Sequence, residues 1–179
     1  MTLPHALLLL AFVAASVLAF LGYARFAEME IKRLTAYEYW SDQFFNLTKK
    51  SLKTEIPKDW LELLEGINTC IANKNAAMGL YMVYSRRLVE AKKSARAIGQ
   101  EEVLFVSQKP ESTELFLKAC QAGFMAMTYT HPIWGVKARS AMAEYLASDE
   151  QPVQRVSEME TIGRAFRDFR HASHKLVPA

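Results

Sequence analysis

No charged side chain occurs before Arg25. That absence excludes an amphipathic surface element, because a helix apolar on all sides has to be enclosed by lipid or by a large protein interior. No Lys or Arg stands ahead of the apolar run either, so the basic n-region that opens a cleavable signal peptide is missing. Cysteine is scarce: Cys70 and Cys120 lie far apart in apolar stretches, with no CxxC and no Cys/His spacing to support a zinc site. The preferred reading of the pair is two buried free thiols in a reducing compartment, the alternative being a disulfide between two core helices. Also missing are GxGxxG, Walker A, HExxH and GxSxG, the patterns that would announce a nucleotide, metalloprotease or serine-hydrolase site. A net charge of only +3 does not imply a nucleic-acid partner. No internal repeat or low-complexity segment is visible.

What is present begins with Ala6 to Tyr23, an uninterrupted run containing four consecutive leucines. At about 1.5 Å per residue its length as a helix is roughly 27 Å, close to the ~30 Å hydrocarbon layer of a bilayer. It reads as a single membrane-spanning anchor, residues 1–24, with Gly22-Tyr23-Ala24 as the cleavage site of the competing signal-peptide reading. Arg25, Lys32 and Arg33 follow the span while MTLPH before it offers no Lys or Arg. The positive-inside rule therefore places the N-terminus outside and residues 25–179 on the cytoplasmic, or equivalent inner, side. With 51% hydrophobic and 23% charged residues overall, the portion beyond the anchor has the makings of one ordinary domain with a core.

That domain reads as all-α: a bundle of about four helices fed by the anchor. From Arg25 to about Lys53 neither Pro nor Gly occurs, so the first helix is expected to run straight on. Tyr37, Trp40, Phe44 and Leu47 recur at helical spacing as one stripe, with Tyr39 and Phe45 off it. Pro57 is placed as an N1 proline with Asp59 in the first turn of a second helix. Its apolar face is traced through Trp60, Leu64, Ile67, Ile71, Met78, Met82, Ser85 and Val89, ending near Gly99, with a local interruption at Ala72-Asn73-Lys74-Asn75. Gln100 to Lys109 is expected to be an extended connector, since Val103-Leu104-Phe105-Val106 is too short a run to show a period. A third helix starts near Pro110, with Gly123 and neighbouring alanines allowing close helix approach, and breaks at His131-Pro132 before continuing to about Ala147. Ser148 with Gln151 fits a capping box for a last, basic amphipathic helix whose apolar side is Val156, Met159, Ile162, Phe166 and Phe169.

Few residues are candidates for chemistry. Asp168, His171 and His174 have a spacing that suits a metal on a helix, but no closed site is apparent and no metal is expected. His131, beside Tyr129 and Trp134 in an apolar segment, is the one candidate for a haem ligand or proton relay, against a bland role at a helix break. The favoured contact surfaces are the aromatic Tyr37, Trp40, Phe44 and Phe45 and the basic Arg164, Arg167 and Arg170, the latter facing an acidic partner or anionic lipid. The function expected is that of a membrane-anchored accessory, assembly or scaffolding subunit of a larger membrane protein complex, acting through protein contacts, with no cofactor and no nucleic acid. The alternative is a haem- or metal-binding redox or enzymatic module in the bundle near His131.

Overall fold

A computed structural model of the chain describes residues 3–90, 100–146, 155, 156, 159, 161 and 162. Its architecture is all-α, with no strand among the described residues. Among these residues six helices follow in order: α1 (Leu3–Ser51), α2 (Lys58–Cys70), α3 (Ala76–Glu90), α4 (Gln100–Gln108), α5 (Pro110–Thr128) and α6 (Pro132–Leu146). Residues 155, 156, 159, 161 and 162 are also helical. The chain divides into two compact units, Met1–Thr35 and Ala36–Ala179.

In the first unit the side chains from Leu8 to Leu21 stand exposed all round. This part of α1 is the one described segment long and apolar enough to cross a membrane. The Ser16 hydroxyl donates to the Phe12 carbonyl at 2.9 Å, so it is satisfied without leaving the helix. Beyond the apolar run, Glu28 accepts from Lys32 and Glu30 from Arg33, pairs at i,i+4 and i,i+3 that reinforce the polar part of the helix.

The second unit is a packed bundle. α3 lies against α6 and α5, and α5 also touches α2, α4 and α6. At its centre Trp60 stacks on Phe116, centroids 4.2 Å apart and planes at 14°, while Phe105 meets it edge-on at 5.2 Å. Phe44, Leu80, Phe124, Met127 and Met142 complete a core to which Val156, Met159 and Ile162 also contribute. The apolar side expected for the last helix is thus buried where it is described; Phe166 and Phe169 lie outside the described residues.

Helix boundaries follow local chemistry. Pro57 sits one position earlier than expected, at the N-cap: its carbonyl accepts from Trp60 and Leu61, and Asp59 occupies the first turn facing the positive end of the dipole. Pro110 is at N1 of α5, followed by Glu111. Between Cys70 and Ala76 the chain turns, with the Asn73 side-chain oxygen accepting from the Asn75 backbone N–H at 2.9 Å. This turn resets the helical phase. Trp60, Leu64, Ile67 and Ile71 are buried as the traced face requires, but on α3 the described buried residues are Ala76, Ala77, Gly79, Leu80, Val83 and Tyr84, whereas Met78, Met82 and Ser85 are half-buried and the Val89 side chain lies outside those described. The expected extended connector is also corrected: Gln100–Gln108 is helix α4. Burial of Val106 and the edge contact of Phe105 with Trp60 supply the tertiary support that a nine-residue helix lacks alone.

Close approach is paid for in glycine. A Cβ at Gly123 on α5 would fall 2.3 Å from Ile67 Cγ2 and 2.9 Å from the Phe44 ring. At Gly135 on α6 it would lie 1.8 Å from the Thr128 carbonyl oxygen, which is backbone and has no rotamer to yield.

Candidate functional site

The aromatic stretch of α1 within the bundle unit divides by helical phase into an inner and an outer set. Phe44 is 0% exposed and belongs to the core; Trp40 and Leu47 pack partly buried against it, and Tyr37 is half-buried. Tyr39 and Phe45 point outward, 56% and 51% exposed. Each outward ring is steadied by an inner neighbour. Tyr39 meets Trp40 edge-on at 5.2 Å and 79°, and Phe45 meets Phe44 at 5.5 Å and 61°. An edge-to-face contact of this kind holds an exposed ring in place at little further entropic cost, which suits a surface that docks a partner.

At about 100° per residue, six residues put Tyr39 and Phe45 roughly 120° apart around the helix. Exposed Asp42 and Asn46 fill the arc between them. The outer surface of α1 therefore alternates aromatic and polar groups, and of the four aromatics singled out in the sequence it presents about half of Phe45, less of Tyr37 and Trp40, and none of Phe44. Tyr39 joins the surface; its off-stripe position is the sequence signal that names it.

The corner between α5 and α6 shows what His131 does. Its Nδ1 accepts from the backbone N–H groups of Ile133 at 3.2 Å and Trp134 at 3.3 Å, and its carbonyl accepts from Gly135 at 2.9 Å. His131 is thus the N-cap of α6, an imidazole nitrogen filling the place usually taken by a Ser or Asp oxygen. The Nδ1 lone pair is thereby committed to the end of the helix. On the opposite side of the corner, Arg139 donates to the Thr128 carbonyl at 3.4 Å and to its hydroxyl at 3.3 Å, and its guanidinium lies 4.2 Å from the Tyr129 ring centroid. The C-terminal carbonyls of α5 are thereby met by a cation, as the dipole favours.

Elsewhere in the bundle, Lys109 at the start of α5 donates to Glu55 at 2.6 Å and sits 5.6 Å from the Phe105 ring centroid. The hydrogen bond and charge of Lys109 hold the Glu55 carboxyl below its ordinary value, and Lys118 does the same for Glu114. Cys70 and Cys120 are both buried, and no disulfide joins them. Among the described residues no three His, Cys, Asp or Glu side chains gather as a metal site. Asp168, His171, His174, Arg164, Arg167 and Arg170 lie outside the described residues. No protein-family model, curated protein or solved structure matches the chain.

Proposed function

We propose that the protein is a membrane-anchored helical subunit that works by contact, as an accessory, assembly or scaffolding component of a larger membrane protein complex. The observation that carries this reading is the contrast in α1 between an apolar stretch exposed on every side and a bundle whose own core is already closed. Ten large apolar side chains between Leu8 and Tyr23 face outward in the structure. At ~1.5–3 kcal/mol per fully buried side chain, transferring them from water into hydrocarbon favours insertion by on the order of 10 kcal/mol or more. The span is read as single-pass with the N-terminus outside and the bundle on the cytoplasmic or equivalent inner side, on the charge asymmetry around it.

Confinement then replaces a three-dimensional search with a local one and raises the effective concentration of the bundle near a membrane partner. Tyr39 and Phe45, pinned but exposed, are the side chains best placed to meet an integral membrane protein. The test is gentle detergent extraction of the full chain from its native membrane and identification of what migrates with it. A stoichiometric companion that is lost on Tyr39→Ala/Phe45→Ala, with helical content unchanged, supports the reading. Recovery solely as a lone monomer under several mild conditions overturns it.

A further inference from the structure

A second exposed apolar surface lies on the bundle, on α6. Ile133 and Val136, one helical turn apart, are 64% and 55% exposed. Trp134 lies beside them, its ring 5.6 Å from that of Tyr81 on α3. Lys137 reaches over both rings, its Nζ 4.7 Å from the Trp134 centroid and 5.8 Å from that of Tyr81. In the bundle core a lysine has no place, and on an ordinary solvated face two β-branched aliphatics have no reason to stand together.

Charge is one-sided here. The sequence of α3 carries Arg86 and Arg87 and no carboxylate until Glu90, its last residue; that of α6 carries Lys137 and Arg139 and none until Glu144 in its last turn. At the face itself the cation is Lys137, Arg139 being turned to Thr128 and Tyr129, and neither of the two helices that pack together brings a carboxylate in its sequence until its last turn. Aromatic rings with polar edges, a lysine with a long apolar stem and two exposed aliphatics are the side-chain types that settle at a bilayer interface.

We infer that the α6 face formed by Ile133, Trp134, Val136 and Lys137, with Tyr81 of α3, is a contact site for an anionic phospholipid surface. The inference rests on the membrane anchoring proposed above, because a tethered bundle meets the bilayer at high local concentration and one shallow face then suffices. Ile133 and Val136 enter the acyl boundary, Trp134 and Tyr81 lie at the level of the lipid carbonyls, and Lys137 pairs with phosphate.

The experiment uses the full chain reconstituted into phosphatidylcholine vesicles with or without phosphatidylglycerol. Nitroxide labels are placed singly at Val136→Cys and, as a control, at exposed Asn68→Cys on α2; Cys70 and Cys120 are buried and shielded from the reagent. In phosphatidylglycerol vesicles the Val136 label should be relaxed by oxygen and protected from a water-soluble nickel chelate, whereas the Asn68 label should show the reverse. The protection should fall without phosphatidylglycerol, on Lys137→Glu, and at 1 M salt, where the screening length shrinks from about 10 Å to about 3 Å. Equal chelate access at both positions in phosphatidylglycerol vesicles overturns the inference. So does protection of Val136 seen only in native membranes and not in pure lipid, which would assign the face to a protein. Flotation of the same vesicles separates the two proposals: a chain that does not float refutes the anchor, while one that floats with Val136 in water refutes only the α6 contact.

Discussion

The first and second units of the chain handle apolar surface in opposite ways. In the bundle, Trp60, Phe44, Phe116 and Leu80 are enclosed by other helices of the same polypeptide. In the first unit, Leu8, Leu10, Phe12, Leu18 and Phe20 have no such enclosure within the structure. Both segments are helical and rich in large apolar side chains, so helix propensity and hydrophobicity do not distinguish them. What distinguishes them is arrangement. The bundle helices carry apolar residues on a face, with charged residues such as Glu62, Glu65 and Lys118 opposite; the N-terminal part of α1 carries them everywhere. A face asks for another helix, and a rod apolar all round asks for a non-aqueous solvent.

The sharpest way to break the comparison is to charge the rod. Leu10→Arg combined with Leu18→Arg costs about 2.5–3.5 kcal/mol per arginine near the middle of a spanning helix. The double variant should therefore be extracted from vesicles by carbonate, while the wild-type chain stays, and the helical content of the bundle should be unchanged. Retention of the variant in the membrane would mean that the rod is not what holds the chain there.

The next effect belongs to the bundle alone. Gly135→Ala drives a methyl group into the Thr128 carbonyl and forces α5 and α6 apart, so it should lower the thermal midpoint more than Gly123→Ala, whose new methyl meets the Ile67 and Phe44 side chains and no backbone atom. Overpacking of the second kind costs about 1–3 kcal/mol, and the first is expected at or above the top of that range. Neither should affect membrane retention. Equal midpoints for the two variants would show that the α5–α6 corner is softer than its geometry.

The smallest effect is electrostatic. Glu55 and Glu114 are held below their ordinary value of 4.5 chiefly by hydrogen bonds from Lys109 and Lys118. A carboxyl that is more acidic folded than unfolded adds stability above its unfolded value and loses it as pH falls through the folded one. Stability should therefore decline slightly as pH drops below about 4.5, and Glu55→Gln together with Glu114→Gln should flatten that decline. Both carboxylates are exposed, so the change is expected to be small and to vanish in high salt. A variant whose acid profile matches the wild type would remove these pairs from the account.

Much of this division is legible in the amino-acid sequence. The long apolar N-terminal helix shows in uncharged length, the starts of α2 and α5 in Pro57 with Asp59 and Pro110 with Glu111, and the α5–α6 break in His131-Pro132. The need for glycine at 123 also follows from its small neighbours. Two features are not legible, for one reason. α4 has too few apolar residues to display a period, and it is helical because Phe105 and Val106 find Trp60 and the core. The face of α3 cannot be projected from α2, because the turn at Asn73 to Asn75 rotates the helix by an amount no local pattern records. Both depend on tertiary partners. In the candidate surface, the stripe from Tyr37 to Leu47 is visible in the spacing, but which rings stay outside is decided by the helices that cover Phe44. The capping by His131 is similarly hidden: nothing in a His-Pro pair announces that Nδ1 will meet two backbone donors, and only the structure shows it.

The Ser16 hydroxyl, turned back onto the Phe12 carbonyl, spends its donor inside the apolar rod. Helices in lipid recognise one another largely through small residues and polar side chains, and this rod has the small kind in a row, Ala11, Ala15 and Ala19 recurring at i,i+4 spacing. A helix lying beside it in lipid would be met through close backbone approach along that row more than through hydrogen bonds.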